Sequence, residues 1–328
     1  MTGNVFTVAI VTADGNWMWC RPLLLMAVVM SGSVAIVTAH AETLAVGASQ
    51  RYKMPSEAAA VAMDGDTIAI DSGEYVDCAV WKADRLTITG IGPKVVIRNK
   101  SCNGKGLFIV DGNDITIRNL TLLEARGPNL NGAGIRAEGF NLKIDNVRIL
   151  DSQNGILAAG VPGSAIEINN SAFTDDGNCK NPSGCGHGIY IGHIKMVRIT
   201  NSRFFETKEG HHIKSRALRT EVIGNRIRDG SAGTASYSID VPNGGSLIVA
   251  NNTIEKGPNS TNKGAVIVIG AEGVTQPTVD LIIRANKFTN DNEAETVFVR
   301  NMTASPATLT GNTFKGKVEA LTGEGQVQ

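Results

Sequence analysis

A short turn carrying asparagine, followed within three residues by an apolar side chain, returns eight times along this chain. It is read in Arg118-Asn119-Leu120-Thr121-Leu122, Asp145-Asn146-Val147-Arg148-Ile149, Asn170-Ser171-Ala172-Phe173 and Asn201-Ser202-Arg203-Phe204. It continues in Asn225-Arg226-Ile227, Asn252-Thr253-Ile254, Asn286-Lys287-Phe288 and Asn312-Thr313-Phe314. The closing apolar residues are separated by 27, 24, 31, 23, 27, 34 and 26 residues. Self-similarity at such a period is the signature of a stacked-repeat architecture, in which each unit buries its apolar face only against its neighbours. Propeller blades, at about 40–45 residues, are too long for these gaps.

Each repeat holds further strands. Leu142-Lys143-Ile144-Asp145 and Val197-Arg198-Ile199-Thr200 alternate apolar and polar, which sends one set of side chains inward and the other outward. Aromatics are scarce at 5%, glycines number 37, and no helical period interrupts the strands, so crossover helices have no place. The expected fold is all-β: a right-handed parallel β-helix, a solenoid forming a single domain over residues 42–328. Residues 56–63, Ser-Glu-Ala-Ala-Ala-Val-Ala-Met, read as a short helix that caps the open N-terminal end. Charge is balanced, 31 basic against 31 acidic residues, which gives no global attraction to nucleic acid or to an anionic membrane.

The N-terminus reads as export machinery rather than fold. Arg21 is followed by an apolar run that ends at Ala39-His40-Ala41, a small–x–small pattern. Residues 1–41 are therefore expected to be a signal peptide cleaved after Ala41, with Met18 a candidate true start. No membrane span is expected after cleavage, and the protein is expected to be secreted or periplasmic. Beyond Cys20 there are four cysteines, and the favoured pairing of the three available is Cys78–Cys102 with Cys179–Cys185.

Aligning the coils on the strand that follows each glycine gives Gly134-Ile135-Arg136-Ala137-Glu138, Gly155-Ile156-Leu157 and Gly188-Ile189-Tyr190, then His212-Ile213-Lys214-Ser215-Arg216 and Ser238-Ile239-Asp240. The isoleucines form one inward column. The next residues, Arg136, Leu157, Tyr190, Lys214 and Asp240, form an outward one, with Arg216 on the same face. The four histidines of the mature chain, His187, His193, His211 and His212, all fall in two of these coils. The insertion from Asp175 to Cys185 enters just before His187, where a binding wall belongs. A solvated ionic ladder would display the same charges. A histidine zinc site fits poorly, because His211 and His212 point apart in a strand.

As a repeat pattern the chain resembles the pectate-lyase-like superfamily of polysaccharide-active β-helices. Lys214-Ser215 followed by Asn225-Arg226-Ile227 is similar to the alginate lyase and chondroitinase B family, where the lysine is the general base; Tyr237-Ser238-Ile239-Asp240 stands where that family has Arg-His. Asp175-Asp176, Gly186-His187-Gly188 and His212-Ile213-Lys214 are similar to polygalacturonase motifs. The first resemblance implies β-elimination on a uronate-containing glycan, or C5-epimerisation by the same proton abstraction. That chemistry needs a base and groups that stabilise an enolate-like anion. Lys214 is the expected base, Arg136, Arg216 or His211 the carboxylate partner, and Tyr190 or His187 the proton donor. Arg136, Glu138, His212, Asp240 and His193 are expected to bind substrate. The alternatives are a polygalacturonase-type hydrolase and a non-catalytic glycan-binding or exopolysaccharide-assembly β-helix. The expected partner is an acidic polysaccharide or oligosaccharide taken by a monomer. No cofactor is read from the sequence, and Ca²⁺ is left open by the resemblance.

Overall fold

The computed structural model describes residues 41–181 and 184–328. The expected signal peptide and the candidate start at Met18 lie outside the described residues. Among the described residues no helix is long and apolar enough to cross a membrane.

The chain winds through parallel strands. One ten-stranded sheet runs from Ala79–Trp81 through Gly106–Val110, Ala133–Ala137, Asn154–Ala158, Ile189–Ile191, Ile213–Ser215, Ile239–Val241, Ala265–Ile269 and Thr296–Asn301 to Val318–Thr322. The remaining strands build an eighteen-stranded sheet that bends along its length. Early coils cross the bend in one strand, as Ile115–Leu123 and Leu142–Leu150 do, whereas later ones break there, as Met196–Thr200 and Arg203–Phe205 do. The repeat is parallel throughout and needs no crossover helix, as the alternating pattern required.

The bend is made by one left-handed residue per coil: Asn119, Asn146, Asn170, Asn201, Gly224, Asn251, Ala285 and Gly311. Asparagine and glycine tolerate positive φ at little cost. The structure thereby splits what the sequence shows as a single asparagine column. In the first four coils the repeat asparagine is the left-handed residue itself. In the last four, Asn225, Asn252, Asn286 and Asn312 follow it, and the first three are buried.

These later asparagines form an interior ladder. Asn225 Nδ2 donates to Asn252 Oδ1 at 3.1 Å, Asn252 to Asn286 at 2.9 Å and Asn286 to Asn312 at 2.9 Å. Each Nδ2 also donates to a backbone carbonyl, of Ile199, Val222, Val249 and Ile283 in turn. Each Oδ1 of the last three accepts the backbone N–H of the preceding ladder asparagine as well. Upstream, the Ser202 N–H donates to Asn225 Oδ1, the Ser202 hydroxyl accepts the Ser171 N–H, and the Ser171 hydroxyl accepts the Val147 N–H.

The apolar residues that closed each repeat do form one column. Leu122, Ile149, Phe173, Phe204, Ile227, Ile254, Phe288 and Phe314 are register partners in succession. Phe173 and Phe204 stack with centroids 4.8 Å apart. The capping helix is Pro55–Ala59, shorter than the expected 56–63. Proline at its first position suits the start of a helix, and Ala58 is buried against the core. Both expected disulfides are formed, Cys78–Cys102 and Cys179–Cys185.

Removing a ladder rung leaves buried donors and acceptors unpaired, each worth about 1–3 kcal/mol. Asn252→Ala is expected to lower stability by at least about 2 kcal/mol, read as a drop in the midpoint of urea unfolding. Asn146→Ala, at an exposed left-handed position, should cost only roughly 1 kcal/mol. Equal losses in the two variants would show that the ladder adds nothing beyond turn geometry.

Candidate active site on the ten-stranded face

The expected outward column is real. Register pairs Arg136 with Leu157, Leu157 with Tyr190, Tyr190 with Lys214 and Lys214 with Asp240. Neighbouring rungs lie about 4.8 Å apart, so Tyr190, Lys214 and Asp240 are consecutive neighbours. Beneath them Ile135, Ile156, Ile189, Ile213 and Ile239 are fully buried, which fixes which side of each strand faces out.

Arg216 ties the face together. Its Nε donates to the Tyr190 hydroxyl at 2.8 Å, one Nη donates to Asn243 Oδ1, and the other donates to Glu272 Oε2 at 2.6 Å. Lys214 Nζ donates to Glu272 Oε1 at 2.6 Å and lies 3.4 Å from Asp240 Oδ2. Both cations also sit near the Tyr190 ring, with Lys214 Nζ 5.8 Å and the Arg216 guanidinium carbon 5.6 Å from its centroid. Glu272 escaped the repeat alignment because it lies in the turn after Ala265–Ile269. The 34-residue gap, the longest between repeats, marks the coil that carries it.

The histidines stand just before these strands. His187 and His211 stack at 4.9 Å, and His211 stacks on Tyr237 at 4.9 Å. Each imidazole is oriented by the backbone of the next coil: His187 Nδ1 accepts the His211 N–H at 2.9 Å, and His211 Nδ1 accepts the Tyr237 N–H at 3.1 Å. A neutral ring that accepts at Nδ1 carries its proton on Nε2. Burial, reinforced by nearby positive groups, pulls His187 down to about 3 and His211 well below its usual value. Both are therefore neutral donors near pH 7. That corrects the expectation that His211 neutralises a carboxylate as a cation; its Nε2 instead lies 3.5 Å from Asp240 Oδ2. Burial pushes Asp240 up to about 6, against the opposing effect of Lys214, and its Oδ1 has no hydrogen-bond partner.

Four expected residues fall elsewhere. His212 turns into the core, fully buried, with Nδ1 2.8 Å from Thr207 Oγ1 and Nε2 2.8 Å from Asp229 Oδ1. It cannot touch a ligand on the outer face, which corrects its assignment to substrate binding. Glu138 pairs with both Arg136 and Lys105, two rungs from Tyr190 with Leu157 between. His193 is exposed beyond the strand end, 3.2 Å from Gln276 Nε2.

The polygalacturonase-like motifs have structural explanations. Asp176 is fully buried and burial raises it well above the usual range, while Asp175 pairs with Lys208 at 2.7 Å. A Cβ on Gly186 would lie 1.9 Å from the Gln153 carbonyl, so packing of coils explains that glycine beside His187. The Cys179–Cys185 loop is closed by the Asn178–Gly186 bridge and tied to the next coil through Glu209, which accepts the Cys179 N–H at 2.6 Å. Among the described residues no three His, Cys, Asp or Glu side chains are grouped to hold a metal ion. Concavities of about 380 and 810 Å³ lie on the bent sheet, lined by residues such as Asn141 and Lys143 in one and Lys94 and Arg148 in the other. Neither includes the His187–Asp240 cluster.

Residues 163–324 match the family described as "Right handed beta helix region". The chain is similar in structure to an alginate lyase from Paenibacillus sp. str. FPU-7, at 18% identity and a TM-score of 0.53, over 85% of this chain and 99% of that one. It is also similar to ORF18 of Geobacillus virus E2, at 15% identity and a TM-score of 0.51, over 80% of this chain and 53% of the viral one. Pectate lyase Pel9A aligns at 12% identity with a TM-score of 0.49, over 81% of this chain and 72% of that one. No curated protein matches the sequence. The fold is the right-handed parallel β-helix.

The neutral imidazoles contribute a pH dependence whose sign follows from their lowered values. For His187 the contribution is complete above its unfolded value near 6.5 and is lost as pH falls toward about 3. Asp240, raised from 3.8 to about 6, works oppositely within that window, but over a shorter span. The melting temperature is therefore expected to fall between pH 7 and 4, and to fall less steeply in His187→Gln, whose amide oxygen can still accept the His211 N–H. Parallel pH profiles in differential scanning fluorimetry would remove His187 as the cause.

Proposed function

We propose that this right-handed parallel β-helix is a polysaccharide-active enzyme that carries out β-elimination on a uronate-containing glycan across its ten-stranded face. The observation that carries the reading is the adjacency of Tyr190 and Lys214 on consecutive rungs, with Arg216 bonded to the tyrosine hydroxyl at 2.8 Å. The alginate lyase that shares the fold over 99% of its length agrees with it.

In this reading the glycan lies along the face and one uronate carboxylate meets Arg216, which withdraws charge from it. Lys214, as the free amine, takes the proton α to that carboxylate. The electron pair forms the new C=C bond and expels the glycosidic oxygen. Tyr190 gives its proton to that oxygen, and the guanidinium N–H remains bonded to the phenolate. Positioned acid–base groups and preorganised donors are the two contributions the step needs. His187 is assigned as a neutral hydrogen-bond donor rather than the acid, because its buried imidazole does not hold a second proton near pH 7.

A second reading has one observation in its favour. Asp240, held protonated to about pH 6, and Glu272, held ionised, both contact Lys214 Nζ, and carboxyl groups pushed apart in protonation are what glycoside hydrolysis uses. Burial works to raise Glu272, but hydrogen bonds from Lys214 and Arg216 bring it below its usual value.

The readings separate on a panel of acidic glycans followed at the unsaturated-uronate absorbance band. Lys214→Ala and Tyr190→Phe are each expected to lower the elimination rate by roughly 10²–10⁴-fold. New reducing ends without that absorbance would transfer the assignment to hydrolysis. Inverted C5 configuration in product NMR would mark an epimerase, and binding without any product a non-catalytic role.

A further inference from the structure

Lys214 and Arg216 project outward two residues apart on the strand and its continuation, and between them they hold one carboxylate. Its two oxygens are divided, Oε1 to Lys214 and Oε2 to Arg216, each at 2.6 Å. That carboxylate belongs to the chain itself, yet its carrier is the most exposed of the three: the Glu272 side chain is 44% exposed, against 12% for Lys214 and 23% for Arg216. We infer that Glu272 is a stand-in ligand for this pair, and that a uronate carboxylate of the glycan takes its place. The inference rests on the uronate reading proposed above.

The loop that carries Glu272 is built for such an exchange. Its two feet are fastened: Gly270 N–H donates to the Val241 carbonyl at 2.9 Å, and Gln276, itself buried, donates to the Asn243 carbonyl from its backbone and to the Arg216 carbonyl from its side chain. Between the feet, residues 271–275 are exposed. Gly270 and Gly273 flank Glu272 in the left-handed region, with φ of 85° and 92°, where a glycine re-aims the backbone at little cost. The tip is held by the Glu272 N–H to the Pro242 carbonyl, the Gly273 N–H to the Gly270 carbonyl, the Thr275 N–H to the Asn243 carbonyl and Asn243 Nδ2 to the Gly273 carbonyl. The Glu272 side of the pair is open to solvent, so a polymer that supplies its own carboxylate and contacts on neighbouring rungs can displace this one.

The exchange gives the site its selectivity. A neutral glycan brings nothing that replaces Glu272 on two cations, and the loop stays across the face. A uronate restores the ionic contact of Arg216, releases Lys214 from its carboxylate and opens the face in the same act. Glu272 is therefore a specificity-determining residue rather than a catalytic one.

The test uses the full-length protein and Glu272→Gln, which keeps the size of an exposed side chain and removes its charge. The first measurement needs no glycan: labelling of Lys214 by trinitrobenzenesulfonate, followed peptide by peptide with mass spectrometry, is expected to be at least fivefold faster in the variant. The second is calorimetric titration with tetrasaccharides of galacturonate, guluronate, mannuronate and hyaluronan, with maltotetraose as the neutral control. At least one acidic tetrasaccharide should bind the variant ten or more times tighter than the unsubstituted protein, with maltotetraose unchanged. Unchanged labelling, or weaker uronate binding by the variant, overturns the exchange while leaving a uronate site standing. Faster labelling with no acidic tetrasaccharide bound by either protein overturns the uronate reading, and the exchange with it.

Discussion

In a stack of coils every turn turns its back on solvent somewhere, and the polar groups stranded there have only the next coil to bond. The interior chain from Ser171 through Ser202, Asn225, Asn252 and Asn286 to Asn312 meets that requirement. Each asparagine side chain takes up a carbonyl and passes on an amide, so a coil displaced by a single residue would strand several buried groups at once. The register that results is what converts a linear sequence of similar segments into straight columns. The Leu122-to-Phe288 column packs the inside, and the Arg136-to-Asp240 column shapes the outside. Neither would exist if neighbouring coils could slip.

Much of this was legible beforehand because repetition is the one long-range feature a sequence displays directly. The spacing of Leu122, Ile149, Phe173 and their successors was sufficient to place residues far apart in sequence over one another, and the inward isoleucines then dictated which residues faced out. Asparagine fills two different positions of the turn, the left-handed one at Asn119 or Asn201 and the interior one at Asn225 or Asn252. Letters alone do not separate a residue chosen for its φ from one chosen for its amide. His211 and His212 show the same limit: adjacent, chemically identical, and sent to opposite sides of the wall. Glu272 was hidden because it lies outside the repeat, on an excursion whose length is visible but whose path back over the face is not.

The outer face combines groups that would not keep their character in water. His187 and His211 stay neutral because they are buried, with Lys214 close to both, and Asp240 holds its proton longer than an exposed aspartate would for the first of those reasons. Deeper in, Lys256 is buried near Asp229 and is drawn down to about 8 by loss of hydration. The polar groups of this segment are thus divided by the sheet into an interior set, His212, Asp229 and Lys256, that serves packing, and an exterior set gathered around Arg216.

The histidine column bears on how such a protein can change over evolutionary time. A solenoid grows and shrinks readily, since a whole coil can be gained or lost without disturbing distant ones. Between residues 187 and 237 that freedom is withdrawn. His187 takes its tautomer from the backbone of the coil carrying His211, which takes its own from the coil carrying Tyr237. Duplicating or excising a coil inside this run would hand each imidazole a stranger's amide, and any descendant that kept the chemistry would have to alter its length at the ends instead.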